Sequence, residues 1–444
     1  MQPTHQAPLA HHGANPPSIA GTAVAPPGPP VAPPNPALQA RWQRVMDCVA
    51  LREPDRMPTG LFMMFWPAKY GGISCRQQMY DQDKLCELTV QITRELDPDL
   101  CTPTPLITGF GNLLDATGYR QIEWPGHGVP DDRPFQYLDR EYMTADEYDE
   151  FLFDPTGFYY AKYLPRVAAA FEGSQAIASV AGASYFDVIY NSAAFANPAL
   201  QASMARLNTA GQEAGRLFAC AGRLMGQLAG MGYPSGVGGF AIGPYDNLGD
   251  YFRGATAMMK DLYRHPDKVL AAMEKMKTLT LRRLAMQKPM LSSPLIFIPV
   301  HWAPDAFMSQ KQFERFWWPT FRELLLGIID MDLIPMPLWE ADCTKRLETI
   351  RDVPPGKCIY WFERTDMVRA REVLGDVVAL RGGMHPSVMT MGTPDDVDAA
   401  VRHLVDNVYA KGGRLILDTA FGIPDEAPVE NVRAMYRAAR RYAS

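Results

Sequence analysis

Six polar side chains in this sequence stand just behind short apolar runs, where they can converge on a single ligand. His301 follows Leu295-Ile-Phe-Ile-Pro-Val300, and Glu340 follows Leu333-Ile-Pro-Met-Pro-Leu-Trp339. Glu363 and Asp366 follow Ile359-Tyr-Trp-Phe362, His385 follows the run ending at Met384, and Asp418 follows Leu415-Ile-Leu417. Two chemistries suit such a set. Imidazole with carboxylate can hold a hard or borderline divalent ion such as zinc, and the expected ligands are His301, Glu340 and His385. The same groups can work as general acid and base, with burial raising one carboxylate pKa; His301, Glu340, Glu363 and Asp418 are then the catalytic candidates. Arg381 and Lys69 are cations placed to anchor a substrate carboxylate. Trp66, Trp302, Trp339 and Trp361 are placed to wall an apolar or aromatic substrate.

Each assignment has a plainer counterpart. Glu340 has Arg346 and Arg381 as ion-pair partners, and Glu363 has Arg364 and Arg369. A histidine such as His301 can be a core residue bonded to a backbone carbonyl. His385 precedes Pro386 in a turn, and Asp418 is able to cap the next loop. Asp366 reads best as a helix N-cap. Core packing accounts for each tryptophan nearly as well as a binding wall does. Cys343 sits close to Glu340, but a single thiol without an evident base is normally inert.

These residues need a frame that brings strand ends together. Near-continuous apolar runs alternate with amphipathic helix patterns, the signature of a parallel sheet covered by helices. Strands are expected at Gly60–Trp66, Asp99–Pro105, within the glycine-rich 232–254 segment, and at Leu295–Val300, Leu333–Leu338, Cys358–Phe362, Val377–Leu380 and Arg414–Leu417. Thr393-Pro-Asp-Asp396 opens a helix with an N-cap, a proline and two acids on the positive end of the dipole. Val397, Ala400, Val401, Leu404, Val405 and Val408 continue it, and Gly412-Gly413 stops it. Eight strands alternating with helices predict an α/β fold of the (β/α)8 barrel type, whose chemistry lies at the strand C-termini. An open doubly wound sheet is the competing arrangement.

Composition sets further bounds. With 444 residues, a formal charge of −6 and 47% hydrophobic content, the chain suits a globular protein with a large core and no nucleic-acid partner. No apolar run reaches the roughly 18 residues of a membrane span, and the first residues lack the order of a signal peptide, so a cytoplasmic setting is expected. The seven cysteines show no CxxC pair, which argues against a disulfide framework and a cysteine zinc site. Residues 1–38, rich in proline and alanine, are expected to be a disordered tail, leaving 39–444 for the barrel. An aromatic-rich insertion at about 109–195 is expected to cap a pocket or form a homodimer contact. The 232–254 segment lacks the GK[ST] ending of a phosphate loop.

The run Gly392-Thr-Pro-Asp-Asp-Val397 through Gly412-Gly413 to Pro428-Val-Glu-Asn-Val-Arg-Ala-Met435 resembles the C-terminal signature of the uroporphyrinogen decarboxylase superfamily. The likeness continues upstream through Glu372-Val-Leu-Gly, Gly243-Pro-Tyr-Asp and Asp55-Arg-Met-Pro58, covering roughly residues 40–444. It implies a (β/α)8 barrel. The sequence departs from both well-understood branches. Porphyrinogen decarboxylases carry carboxylate-binding arginines where this chain reads Trp66-Pro-Ala-Lys-Tyr-Gly-Gly72; their tyrosine falls on Asp250 and their histidine on Phe421. The corrinoid and thiol methyltransferases of this barrel bind zinc through His-x-Cys and a later Cys, which here fall on Leu338-Trp339-Glu340 and Phe421. The resemblance therefore implies an enzyme that is not a housekeeping porphyrinogen decarboxylase. The leading expectation is methyl transfer from a small methylated, for example methoxylated, compound to a corrinoid carried by a separate partner protein, with zinc as a Lewis acid. The alternatives are decarboxylation, or another lyase step, on a carboxylic acid, and a non-catalytic binding barrel.

Overall fold

The computed structural model describes residues 35–178, 182 and 184–442. Most of the expected disordered tail lies outside the described residues; the first helix, Pro36–Val49, begins inside its boundary, with the Asn35 side chain capping it.

Eight parallel strands form a (β/α)8 barrel. They are β1 (Gly60–Leu61), β2 (Leu100–Cys101), β3 (Gly239–Phe240), β4 (Leu295–Val300), β5 (Ile334–Trp339), β6 (Ile359–Phe362), β7 (Ala379–Met384) and β8 (Leu415–Thr419). Strands β3 to β8 pair in sequence order, and β1 pairs with β2. Parallel bridges complete the circuit, Thr59 and Met63 to Leu417 and Ile423 on one side, Cys101 to Ser235 on the other. Alternation along each strand divides the core in two. One set, including Phe62, Leu100, Phe297, Met336, Leu338, Trp361 and Ile416, fills the barrel. The other, including Ile298, Val300, Trp339, Tyr360, Leu380 and Leu417, packs against the surrounding helices.

The structure corrects three of the expected strands; Asp99–Pro105 is a strand only over Leu100–Cys101 and gives way to the helix Thr104–Thr108. The run Gly60–Trp66 is a strand for two residues only; Trp66 starts the helix Trp66–Gly71 instead, with Pro67 at a position where its missing N–H costs nothing. In the other direction, β7 runs past Leu380 to Met384. Gly382 and Gly383 take φ of +109° and +99°, and a Cβ on Gly382 would collide with the Phe362 carbonyl oxygen. These glycines read as a strand end because they punctuate turns; here they let β7 bend against β6.

The excursion between β2 and β3 includes three short strands (Ile122–Pro125, Gly128–Val129, Gln136–Tyr137) and ends in a long helix, Pro198–Gly230. Thr393 and Asp396 form a reciprocal capping box at the start of helix Pro394–Leu404, and Gly412 and Gly413 follow in left-handed backbone at +105° and +69°. Among the described residues, no helix is long and apolar enough to cross a membrane.

Candidate active site

At the C-terminal end of β4 and β5, a chain of three side chains crosses the barrel mouth. Asp250 Oδ2 lies 2.6 Å from His301 Nδ1, and His301 Nε2 lies 3.3 Å from Glu340 Oε1. Each link is set by local structure. His301 and Glu340 are the first residues beyond their strands, as the sequence expects. Asp250 comes from Gly243–Gly254, where Pro244 opens a helical turn that widens to a π-helical turn over Asn247–Arg253. Such turns recur at functional sites. Asp246 and Asp250, four residues apart, project from one face of it. Gly249 is required there, since a Cβ would meet the Trp302 indole nitrogen at 2.9 Å. Arg253 locks the far end through a buried pair to Asp261 and a pair to the exposed Glu141, 2.6 Å each.

A second tier fixes this chain. Fully buried Asp246 accepts from the His301 backbone N–H at 2.6 Å, the Trp302 N–H at 3.2 Å and the Trp317 indole at 2.9 Å. Burial, then the charge on Asp250, pushes the Asp246 carboxyl above the usual carboxylate range. The Trp302 indole donates to Asp250 Oδ1 at 2.6 Å. Ala341, next to Glu340, has φ of +50°, and the Glu363 carboxylate accepts its N–H. Left-handed backbone at a residue with a side chain costs about 1 kcal/mol and persists only where neighbours enforce it. Glu363 supplies that enforcement and so aims Glu340.

The electrostatics follow from this geometry. Burial alone would lower the His301 pKa. Hydrogen bonds and charge from Asp250 and Glu340 outweigh it and push the imidazole up to about 12. His301 is therefore an imidazolium across the neutral range, held between two carboxylates.

Apolar side chains also stand at the mouth. Phe240 ends β3 and is 38% exposed, and its ring lies 5.7 Å from that of Phe297 inside the barrel. Met64, Ile107 and Phe421, just beyond β1, β2 and β8, pack half-buried on the same interior cluster. The Phe421 ring is 5.9 Å from that of Phe62.

Several candidates lie elsewhere or do other work. Arg381 and Asp418 are not at the mouth; they form a fully buried ion pair inside the barrel at 2.7 Å, with the guanidinium 3.8 Å over the Trp361 ring. Arg381 is thus matched and closed to a substrate carboxylate. Lys69 donates to the Glu426 carbonyl at 2.6 Å. Trp361 donates to the Thr419 carbonyl, Trp66 to the Ala427 carbonyl, and Trp339 is buried among Trp317, Phe321 and Tyr360. None of these three walls the mouth, because alternation or helix packing turns each into the core. Trp302 reaches the site as the partner of Asp250 rather than as a substrate wall. Asp366 caps helix Met367–Leu374.

The expected zinc set is not assembled. His385 caps helix Pro386–Met391, and its Nδ1 engages the Ser387 hydroxyl at 2.7 Å. Among the described residues, the cluster of metal-type donors is Asp246, Asp250 and His301. Their facing atoms are already committed to the indole, backbone and imidazole hydrogen bonds above. Cys343 is buried and its thiol is pushed well above the usual range by burial, so it offers no thiolate. His301 Nε2 with Glu340 is a two-donor pair, short of the three or four protein ligands zinc sites use. The residues present do not fit a zinc centre of the kind the methyltransferases of this barrel employ.

Sequence reasoning assigned no role to Asp246 or Asp250. The signal was their i, i+4 spacing behind Gly243-Pro244, on a segment whose tyrosine in the porphyrinogen enzymes falls on Asp250.

The fold agrees with what the chain resembles. The sequence model of the uroporphyrinogen decarboxylase (URO-D) family matches residues 180–442. The chain belongs to that family. The uroporphyrinogen decarboxylase of Syntrophotalea carbinolica is 26% identical over 198 residues, 44% of this chain and 56% of that one. That of Geobacter sp. strain M21 is 24% identical over 212 residues, 46% and 60% of the two chains. The chain spans about half the length of these curated relatives. A methyltransferase from Methanosarcina mazei superposes with a TM-score of 0.56 at 13% identity, covering 90% of this chain and 98% of that one, a likeness of fold.

Proposed function

We propose that this URO-D family barrel moves a methyl group from a small, uncharged, methylated compound, a methoxylated aromatic being the best fit, to a corrinoid borne by a separate protein. The supporting observation is an imidazolium clamped between two carboxylates beside an aromatic mouth whose interior cation, Arg381, is already neutralised. A porphyrinogen with many carboxylates needs cationic partners there; a neutral aryl ether needs apolar walls and a proton donor.

The reading assigns the proton to His301. The oxygen–methyl bond breaks as the methyl passes to the external nucleophile, and both electrons of that bond stay on oxygen. His301 Nε2 supplies the proton that leaves the oxygen as a neutral hydroxyl. Glu340 and Asp250 stabilise the ring before the transfer, and solvent restores the proton afterwards. Phe240, Phe421, Met64 and Ile107 exclude water and stack the arene.

A second reading rests on the family itself: an imidazolium able to protonate the carbon left by loss of carbon dioxide also suits a decarboxylase. Incubation of the protein with methoxylated arenes and a reduced corrinoid protein separates the two. The proposal expects the demethylated phenol, lost on His301→Gln; release of carbon dioxide from an aromatic acid without demethylation would favour the second reading instead.

A further inference from the structure

Cys86 and Cys220 are 134 residues apart in the sequence, yet their sulfurs meet at 2.8 Å. Cys86 stands on the helix Gln82–Leu96, between β1 and β2, and Cys220 on the long helix Pro198–Gly230 that ends the excursion. The two helices pack through Val90, Leu224 and Leu228, with Met225 and Met231 at the edge. That packing holds the thiols together. Among the described residues, no other pair of cysteine sulfurs comes into contact.

Plainer roles fit this pair poorly. The other five cysteines are buried, the usual state of an inert thiol. Cys86 is the exception, only half-buried. A shared metal ion does not suit the separation either. Two thiolates holding zinc at about 2.3 Å each keep their sulfurs about 3.8 Å apart. Among the described residues, no third donor completes a ligand set there. A disulfide bond is about 2.05 Å long, so a movement of less than about 1 Å joins the two sulfurs. The approach is open as well. A cleft of about 700 Å³ is lined by Gln82 and Asp83, one turn before Cys86, and by Ala219 and Arg223 on either side of Cys220.

We infer that Cys86 and Cys220 form a reversible oxidation site, where a hydroperoxide joins them in a disulfide that staples the excursion's long helix to the barrel. The inference is independent of the reaction proposed above. Cys86 reacts first because it is the reachable thiol. Its sulfur attacks a peroxide oxygen, the O–O bond breaks, and Cys86 becomes a sulfenic acid while its proton leaves in a water molecule. The Cys220 sulfur then attacks the Cys86 sulfur, the S–O bond breaks, and a second water carries off the Cys220 proton. The two thiols lose two electrons and the peroxide gains them. Exchange with a small dithiol reverses the bond. Burial, then the hydrogen bond with Cys220, raises the Cys86 thiol, so the site answers to sustained oxidant rather than to a brief pulse.

Hydrogen peroxide on the reduced full chain tests it, followed by thiol titration in denaturant and peptide mapping without reductant. The wild type is expected to lose two of its seven thiols. One peptide pair linked through Cys86 and Cys220 is expected, and dithiothreitol should release it. The bond closes a loop around most of the excursion, so the melting midpoint should rise by about 5 °C. Cys86→Ser should abolish both the linkage and the rise. Cys220→Ser should stop Cys86 at the sulfenic acid, which dimedone traps. The mapping of the wild type stands even if a variant fails to fold. Seven free thiols after the oxidant, a disulfide through other cysteines or between chains, sulfinic Cys86 without linkage, or an unchanged midpoint in the linked protein would each overturn the inference.

Discussion

His301 carries the chemistry in this account, and its neighbours decide what it can do. An unfolded imidazole titrates at about pH 6.5, whereas in the fold Asp250 and Glu340 hold it up to about 12. A raised pKa means that the folded chain keeps a proton the unfolded chain releases. The stabilisation from this contact is complete below about pH 6.5 and drains away as pH climbs toward 12. Thermal melts at neutral and at alkaline pH should show the wild type losing more stability than His301→Gln. Activity carries the same signature. Asp250→Asn removes one of the two carboxylates, so the alkaline limb of the kcat profile should move toward neutrality, with kcat reduced about 10²-fold or more at pH 8. A variant that loses activity without moving that limb would assign Asp250 a merely structural part. His301 and Glu340 were legible in the sequence because a polar residue directly behind an apolar strand has few other places to point. Asp250 was harder to read, because its i, i+4 spacing with Asp246 is a weak local signal and the π-helical turn that aims it is decided by packing.

Strands and helices explain why other polar candidates behave differently. Arg381 and Asp418 also stand near strand ends, but Gly382 and Gly383 carry β7 four residues beyond the expected boundary, which drops Arg381 a layer deeper into the barrel. There it pairs with Asp418 beneath Gly60, whose missing side chain leaves room for the Asp418 carboxylate. A buried pair is costly to break one-sidedly. Arg381→Met should destabilise the protein by about 3–5 kcal/mol in urea unfolding. The double variant Arg381→Met with Asp418→Asn should recover a large part of that loss. Equal losses in the single and double variants would mean that packing over Trp361, not charge, is what the arginine contributes. At the other end of the domain, Thr393→Ala removes one half of a capping box and should cost about 1 kcal/mol. Helix starts such as this one, and the alternation of strand and helix, were readable because caps and apolar periods are local. The extent of each strand was not, since bends at glycine and pairing partners are decided across the barrel.

At the scale of the whole molecule, the proposed function departs from the one the family is named for. The chain has the URO-D barrel, yet the mouth of that barrel holds aromatic side chains and a carboxylate–imidazolium–carboxylate chain in place of an arginine clamp. It should therefore leave uroporphyrinogen unchanged, and chromatography of the porphyrins after oxidation would show no loss of carboxyl groups. The resemblance was readable from residues 392–435, where helix cap, double glycine and final helix keep their spacing. The zinc set read from the polar residues behind the strands, His301, Glu340 and His385, is not assembled, because His385 is taken up as a helix cap. The central claim is that His301 delivers a proton to the oxygen that loses its methyl group. The most direct measurement is single-turnover demethylation of a methoxylated arene in the presence of a reduced corrinoid protein, comparing wild type with His301→Gln across arenes of graded phenol pKa. The account predicts demethylation by the wild type that depends weakly on leaving-group pKa, and a much slower reaction by His301→Gln that depends on it steeply. Equal dependence in the two proteins would contradict it.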